Sequence, residues 1–252
     1  MRSRIVAYLL LILLALHIQC SAINPFKKDI SDYYHPRFTC SSDTGWRENT
    51  KFQKYIEVWT AVRVKYHLDN KEIKQAKNVI IGNSLVHLFT PDLIQKEFPN
   101  QELVNRGIGG DMTETLLLRI EEDALVLSPK VLVIEIGGND LIQGKCLSYI
   151  QNNIHNLIQK IQNRLPRTKI IFISVPPTNV SQLNAIVPVY NSFLASLPFQ
   201  YKSVQYVDTW GDMRDKDLPT IRKELIREGG KDKIHFNEKG YSVWGKLLRP
   251  LL

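Results

Sequence analysis

Apolar and polar positions along the chain fall into two alternating rhythms. Short, continuous apolar runs rich in β-branched residues occur at Asn78-Val79-Ile80-Ile81, Val131-Leu132-Val133-Ile134 and Ile170-Ile171-Phe172-Ile173, with a further strand at Val204 to Val207 and a weak candidate at Leu103-Val104. Runs of this length, apolar on both faces, suit buried parallel strands. Between them the spacing becomes helical. Leu117, Ile120 and Ala124 share one face after Asp111, which with Glu114 three residues on reads as a capping start. Ile150, Ile154, Leu157, Ile158 and Ile161 mark a helix from about Leu147 to Arg164, a further helix lies around Asn184 to Leu197, and a last one begins near Asn237. Pro91 restarts a short helix after Leu85, Leu88 and Phe89. Strand and helix alternate about five times, so right-handed crossovers would give an α/β fold with one parallel sheet and helices on both faces.

The N-terminal part follows neither rhythm at first. Arg2 and Arg4 precede an apolar run from Ile5 to Leu16, then His17-Ile18-Gln19-Cys20-Ser21-Ala22. A basic start, a short apolar stretch and a small-residue exit read as a signal peptide over residues 1–22, and the run is too short for a span of roughly 20 apolar residues. The expectation is an exported protein that is secreted, periplasmic or membrane-anchored. Cleavage at Ala22 and lipidation of Cys20 are both open; the second would tie the protein to a membrane, although His17 and Gln19 depart from the usual lipoprotein pattern. Residues 23–77 read as an irregular arm followed by an added helix, in which Ile56, Trp59, Val62 and Tyr66 recur at helical spacing to near Asp69-Asn70. Residues 78–252 form the main domain.

The 252 residues carry a formal charge of +8, with 44% hydrophobic and 23% charged positions, as in globular proteins. The Lys and Arg residues are scattered without interleaved stacking aromatics, which argues for a solvated basic surface and against nucleic acid as a partner. Cys40 and Cys146 have two readings, a disulfide in an oxidising compartment or buried free thiols. No Cys or His spacing suggests a zinc site.

Ligands of parallel α/β sheets sit beyond the carboxyl ends of the strands, and four short motifs lie there. Ser84, in Gly82-Asn83-Ser84-Leu85, follows the first strand directly. Asn105 to Asp111 is a glycine-rich loop whose Gly107, Gly109 and Gly110 do not match the dinucleotide fingerprint, but whose backbone can approach a ligand closely. Gly137-Gly138-Asn139-Asp140 follows the strongest strand, with Glu135 an unusual charge inside it, and Asn139 can offer an amide to an oxyanion. Asp232 stands three residues before His235, close enough to hold the imidazole in one tautomer. Taken singly, each has an ordinary reading as a helix cap, a tight connection, a turn or a surface histidine.

Together and in this order, the four motifs resemble the SGNH hydrolases, the GDSL-like lipases and esterases, over roughly Asn78 to Leu252. The resemblance implies a flavodoxin-like three-layer α/β/α sandwich around a five-stranded parallel sheet, and cleavage of esters, thioesters or amides without a cofactor. It puts the nucleophile on Ser84, the triad partners on Asp232 and His235, and the oxyanion donors on Ser84, Gly110 and Asn139. The favoured substrate is a short-chain ester, such as an acetyl group on a sugar or lipid. A lysophospholipase at a membrane surface and a non-catalytic surface binding protein are the alternatives. One departure is Asn83, where the family's first block has Asp; it is expected to alter loop anchoring rather than chemistry. His87, three residues past Ser84 and without a carboxylate partner, is given at most a place in the substrate wall.

Overall fold

The computed structural model describes residues 38–45, 52–227 and 231–252. The reading of residues 1–22 as a leader lies outside the described residues, as does most of the arm.

Five strands form one parallel sheet: β1 (Asn78–Gly82), β2 (Val104–Gly107), β3 (Val131–Glu135), β4 (Lys169–Ile173) and β5 (Val204–Val207), in the spatial order β2-β1-β3-β4-β5. Their residues alternate between two cores. Val79, Ile81, Leu132, Ile134, Ile170 and Phe172 face one layer; Ile80, Val131, Val133, Ile171 and Ile173 face the other. Burial on both sides is why β1, β3 and β4 read as unbroken apolar runs.

The first layer contains α4 (Thr113–Asp123), α6 (Leu147–Arg164) and α7 (Ser181–Gln200), whose Leu116, Ile120, Ile154, Leu157, Ile158, Val187 and Leu194 are fully buried. The second contains the short helices α2 (Ser84–His87) and α3 (Pro91–Glu97) and the C-terminal α9 (Glu238–Leu248), with Phe89, Tyr241, Trp244 and Phe236 forming an aromatic cluster. This is the three-layer sandwich expected from the sequence. The added helix, α1 (Phe52–Ile73), runs three residues past the expected end at Asn70 and packs against α4. Two further short helices, α5 (Gly138–Ile142) and α8 (Trp210–Met213), follow β3 and β5.

Three expectations change. The cap of α4 is Met112, not Asp111, because Asp111 turns inward to a buried arginine. Strand β2 continues through Gly107, which the sequence reads as part of the loop. Helix α7 extends three residues beyond Asn184–Leu197 at each end and contains Pro188 and Pro198. Of the two readings for the cysteines, the disulfide is the one found: Cys40 bonds Cys146 with a Cα–Cα separation of 4.7 Å, pinning residues before α1 to the start of α6.

Candidate active site

Ser84 stands two residues beyond the end of β1, where the chain turns into α2. Gly82 is needed there for close approach: a Cβ on it would lie 2.0 Å from the Glu135 carbonyl oxygen of the neighbouring strand. Asn83 then caps α2, its Oδ1 accepting from the Leu85 amide at 2.9 Å. The Ser84 hydroxyl is thereby held at the carboxyl edge of the sheet.

The C-terminal segment brings the partners. The Ser84 Oγ lies 2.8 Å from His235 Nε2, and His235 Nδ1 lies 2.8 Å from Asp232 Oδ2. The second oxygen of Asp232 accepts the backbone N–H groups of Ile234 and His235, each at 3.0 Å. Partial burial works to raise the Asp232 pKa, but those two N–H bonds and the imidazole outweigh it, and the carboxyl sits below its usual range. Asn237 caps α9 just beyond, and Phe236 packs into the aromatic cluster, so the segment is anchored on both sides of the histidine.

Opposite lies the glycine-rich loop. Gly110 adopts φ +83°, a conformation that glycine enters without penalty, and a Cβ there would meet the Tyr55 ring at 2.9 Å. Asn139, near the start of α5, donates one amide hydrogen to the Asp111 carbonyl at 2.9 Å. Ser84, Gly109, Gly110, Asn139 and His235 line one cavity of about 320 Å³. All five residues nominated from the motifs, Ser84, Gly110, Asn139, Asp232 and His235, thus meet within one small region. A larger hollow of about 940 Å³ lies between Ser128 and Thr168, without such a combination of groups.

Several contributors were not foreseen. Lys54, Tyr55 and Val58 of α1 line the same cavity, with Ile142, Gln143 and Ile234. Helical spacing had nominated the inward face of α1, but nothing local in the sequence says that its first turn reaches Ser84. His87 has a role different from the one expected. Its Nδ1 accepts the Gly109 amide at 3.1 Å, which makes it a strut behind the glycine-rich loop, and it lines a separate hollow of about 710 Å³ with Lys65 and Arg106 instead of the cavity at Ser84. Burial, Arg119 and Lys65 together lower the His87 pKa, favouring the neutral ring that this acceptor role requires.

Behind the loop is a buried ionic cluster. Arg119 Nε donates to Asp111 Oδ2 at 2.7 Å and its Nη1 to Asp123 Oδ2 at 3.0 Å; the same guanidinium donates to the carbonyls of Arg106 at 2.8 Å and Gly82 at 3.1 Å. One side chain therefore ties the ends of β1 and β2 to α4. Helix α1 completes the cluster with Trp59 to Asp111, and with Arg63 and His67 to Asp123.

Residues 82–243 match the model of the GDSL-like Lipase/Acylhydrolase family. The chain is 30% identical to platelet-activating factor acetylhydrolase IB subunit alpha1 of Bos taurus over 121 residues, 47% of this chain and 51% of that protein, so the match spans about half the length of that relative. The Mus musculus counterpart is 28% identical over 198 residues, 77% of this chain and 82% of the relative. Among solved structures, a GDSL-like lipase from Bacteroides thetaiotaomicron superimposes with a TM-score of 0.64 at 20% identity, covering 75% of this chain and 96% of the other. A catalytic mutant of an acetylxylan esterase from Geobacillus stearothermophilus gives 0.54 at 18% identity, with 69% and 93% coverage. At these identities the structural likeness establishes the fold.

Proposed function

The chain belongs to the GDSL-like lipase/acylhydrolase family, and on that premise we propose that it is a serine ester hydrolase working through Ser84, His235 and Asp232. The observation that carries this reading is the chain of two 2.8 Å contacts from Ser84 Oγ through His235 to Asp232. In that geometry Ser84 Oγ attacks the ester carbonyl while His235 Nε2 takes its proton, and Asp232 stabilises the imidazolium. The backbone N–H groups of Ser84 and Gly110 and the Asn139 amide face the developing oxyanion. The alkoxide leaves with the proton from His235; water, deprotonated by the same nitrogen, then attacks the acyl-enzyme and releases the acid.

A small acyl group suits the cavity, whose volume of about 320 Å³ lies at the lower end of ligand-binding pockets. The substrate class is a short-chain ester, such as an acetyl group on a sugar or lipid. The names of the acetylhydrolase relatives and of the acetylxylan esterase neighbour support it. Export completes the reading: it rests on the residue 1–22 pattern and on the Cys40–Cys146 disulfide, a bond characteristic of oxidising compartments.

A fluorophosphonate probe should label the wild-type protein and not Ser84→Ala. Across p-nitrophenyl esters from acetyl to palmitoyl, kcat/KM should be highest for the shortest chains. Absence of labelling would leave a non-catalytic binding protein, and a palmitoyl optimum would favour the lysophospholipase. Intact mass of exported protein, starting at Cys20 with a lipid adduct or at Ile23 without one, decides the anchor.

A further inference from the structure

Glu135 ends β3 directly beside the turn that carries Ser84. It pairs in register with Gly82, and its backbone carbonyl accepts the Asn83 amide at 3.4 Å. By strand alternation its side chain leaves the sheet on the side of Val131 and Val133, toward the aromatic cluster of α9. The residue is fully buried, and neither carboxyl oxygen has a hydrogen-bond partner among the described residues. Such a group has to be explained, because a buried, unpaired carboxylate is too costly for a fold to keep without a use.

One polar side chain acts on that carboxyl as a hydrogen-bonding neighbour favouring its charged form, short of the geometry of a full hydrogen bond, and it belongs to Asn83. Asn83 is itself buried, and its Oδ1 is committed to capping α2 at the Leu85 amide. The amide group of Asn83 is thus set between the start of the nucleophile helix and the Glu135 carboxyl.

We propose that Glu135 is a positioning residue for the nucleophile: through Asn83 it fixes the turn on which Ser84 is presented to His235. This rests on the esterase reading above. The working state is the neutral acid. Burial pushes the Glu135 pKa up to about 8, the Asn83 side chain opposing. The other titratable groups acting near it are Tyr241 from α9 and Tyr190 from α7, both raised by burial and neutral over the same range; Asp140 of α5 also acts on Tyr190. No cation among the described residues pairs with the acid. Above its pKa a negative charge appears beneath Asn83, pulls the amide from its cap and displaces Ser84 Oγ. A carboxylate at position 83 would create the same conflict at lower pH, since two buried carboxyls side by side cannot both ionise.

The test compares wild type, Glu135→Gln, Glu135→Leu, Asn83→Asp and the double variant Asn83→Asp/Glu135→Gln, by p-nitrophenyl acetate turnover and fluorophosphonate labelling rate from pH 5.5 to about 9.5. Wild type should lose kcat above a midpoint near about 8 with KM little moved. Glu135→Gln, which keeps the shape and an amide but cannot ionise, should retain at least about a third of kcat at pH 7 and lack this alkaline fall. Glu135→Leu should lower kcat about tenfold at every pH. Asn83→Asp should cost about a hundredfold at pH 8, and the double variant should recover to within about tenfold of wild type. An alkaline limb unchanged in Glu135→Gln, or an Asn83→Asp loss equally large with Gln at 135, would overturn the proposal. If wild type neither labels nor turns over at any pH, it is the esterase reading that fails. Thermal melts of the same four-member cycle still decide the pair in that case: additive effects on Tm would reject the Asn83–Glu135 coupling.

Discussion

Two buried sites of ionisable side chains flank the turn that carries Ser84, and they are built on opposite terms. Asp111, Arg119 and Asp123 are wholly buried, yet every group in the cluster is bonded, with donors from α1, a hydroxyl from Thr115 and two strand-end carbonyls closing the set. Glu135, on the neighbouring strand end, is equally buried and has no bonded partner among the described residues. The first arrangement holds geometry through charge; the second fits its site through neutrality. A parallel sheet gathers loops at one edge and can place both kinds of site within a few residues of one serine.

The largest effect expected from breaking this contrast comes from Arg119→Met. It leaves Asp111 and Asp123 buried without their common cation, and removal of one partner from such a cluster costs about 3–5 kcal/mol. Urea unfolding of the two proteins measures it, and a loss below about 1 kcal/mol would mean that the cluster is dispensable.

Asn139→Ala probes where the paired cluster meets the chemistry, because the Asn139 amide is braced on the Asp111 carbonyl. On the proposed mechanism, in which Asn139 is one oxyanion donor, the change should lower kcat by about 10² to 10³, roughly 2.7–4 kcal/mol in barrier, with folding unchanged by circular dichroism.

The unpaired site predicts a pH slope. Glu135 keeps its proton in the folded state up to about pH 8, whereas an unfolded glutamate loses it near about pH 4.3. Its stabilising share is therefore complete below about pH 4.3 and fades as pH rises to about 8, at no more than about 1.4 kcal/mol per unit. Asp140, buried with a pKa raised to about 7, adds a slope of the same sign. Glu135→Gln removes only the first, so its melting temperature should rise relative to wild type between pH 5 and 8; parallel curves would contradict an unpaired acid. The smallest effect is that of Trp59→Phe, which takes one donor from Asp111 while keeping most of the packing, and should cost about 1 kcal/mol in the same unfolding assay.

Much of this organisation is legible in the chain. Strands β1, β3 and β4 can be read because burial on both faces leaves unbroken apolar runs, and α6 because its buried face repeats cleanly from Ile150 to Ile161. The five candidate site residues can be picked out from their places just after strands or before a helix. What cannot be read depends on long-range register. Asp111 looks like a helix cap until Arg119 and Trp59 are seen beside it. His87 looks like a wall residue until Gly109 is found against its ring nitrogen. Glu135 stands out in the sequence as a charge inside an apolar strand, but its neighbour Asn83 is 52 positions away and is supplied only by the pairing of β1 with β3.

The Cys40–Cys146 bond divides the site in a way that secondary structure does not. Ser84, Gly110 and Asn139 all lie inside the covalent ring it closes, while Asp232 and His235 lie on the open tail beyond it. A single protease cut within the ring leaves both fragments attached, with Ser84, Gly110 and Asn139 still on one molecule. A single cut anywhere between Cys146 and Asp232 severs Asp232 and His235 from that molecule, and only packing can then keep the two halves together.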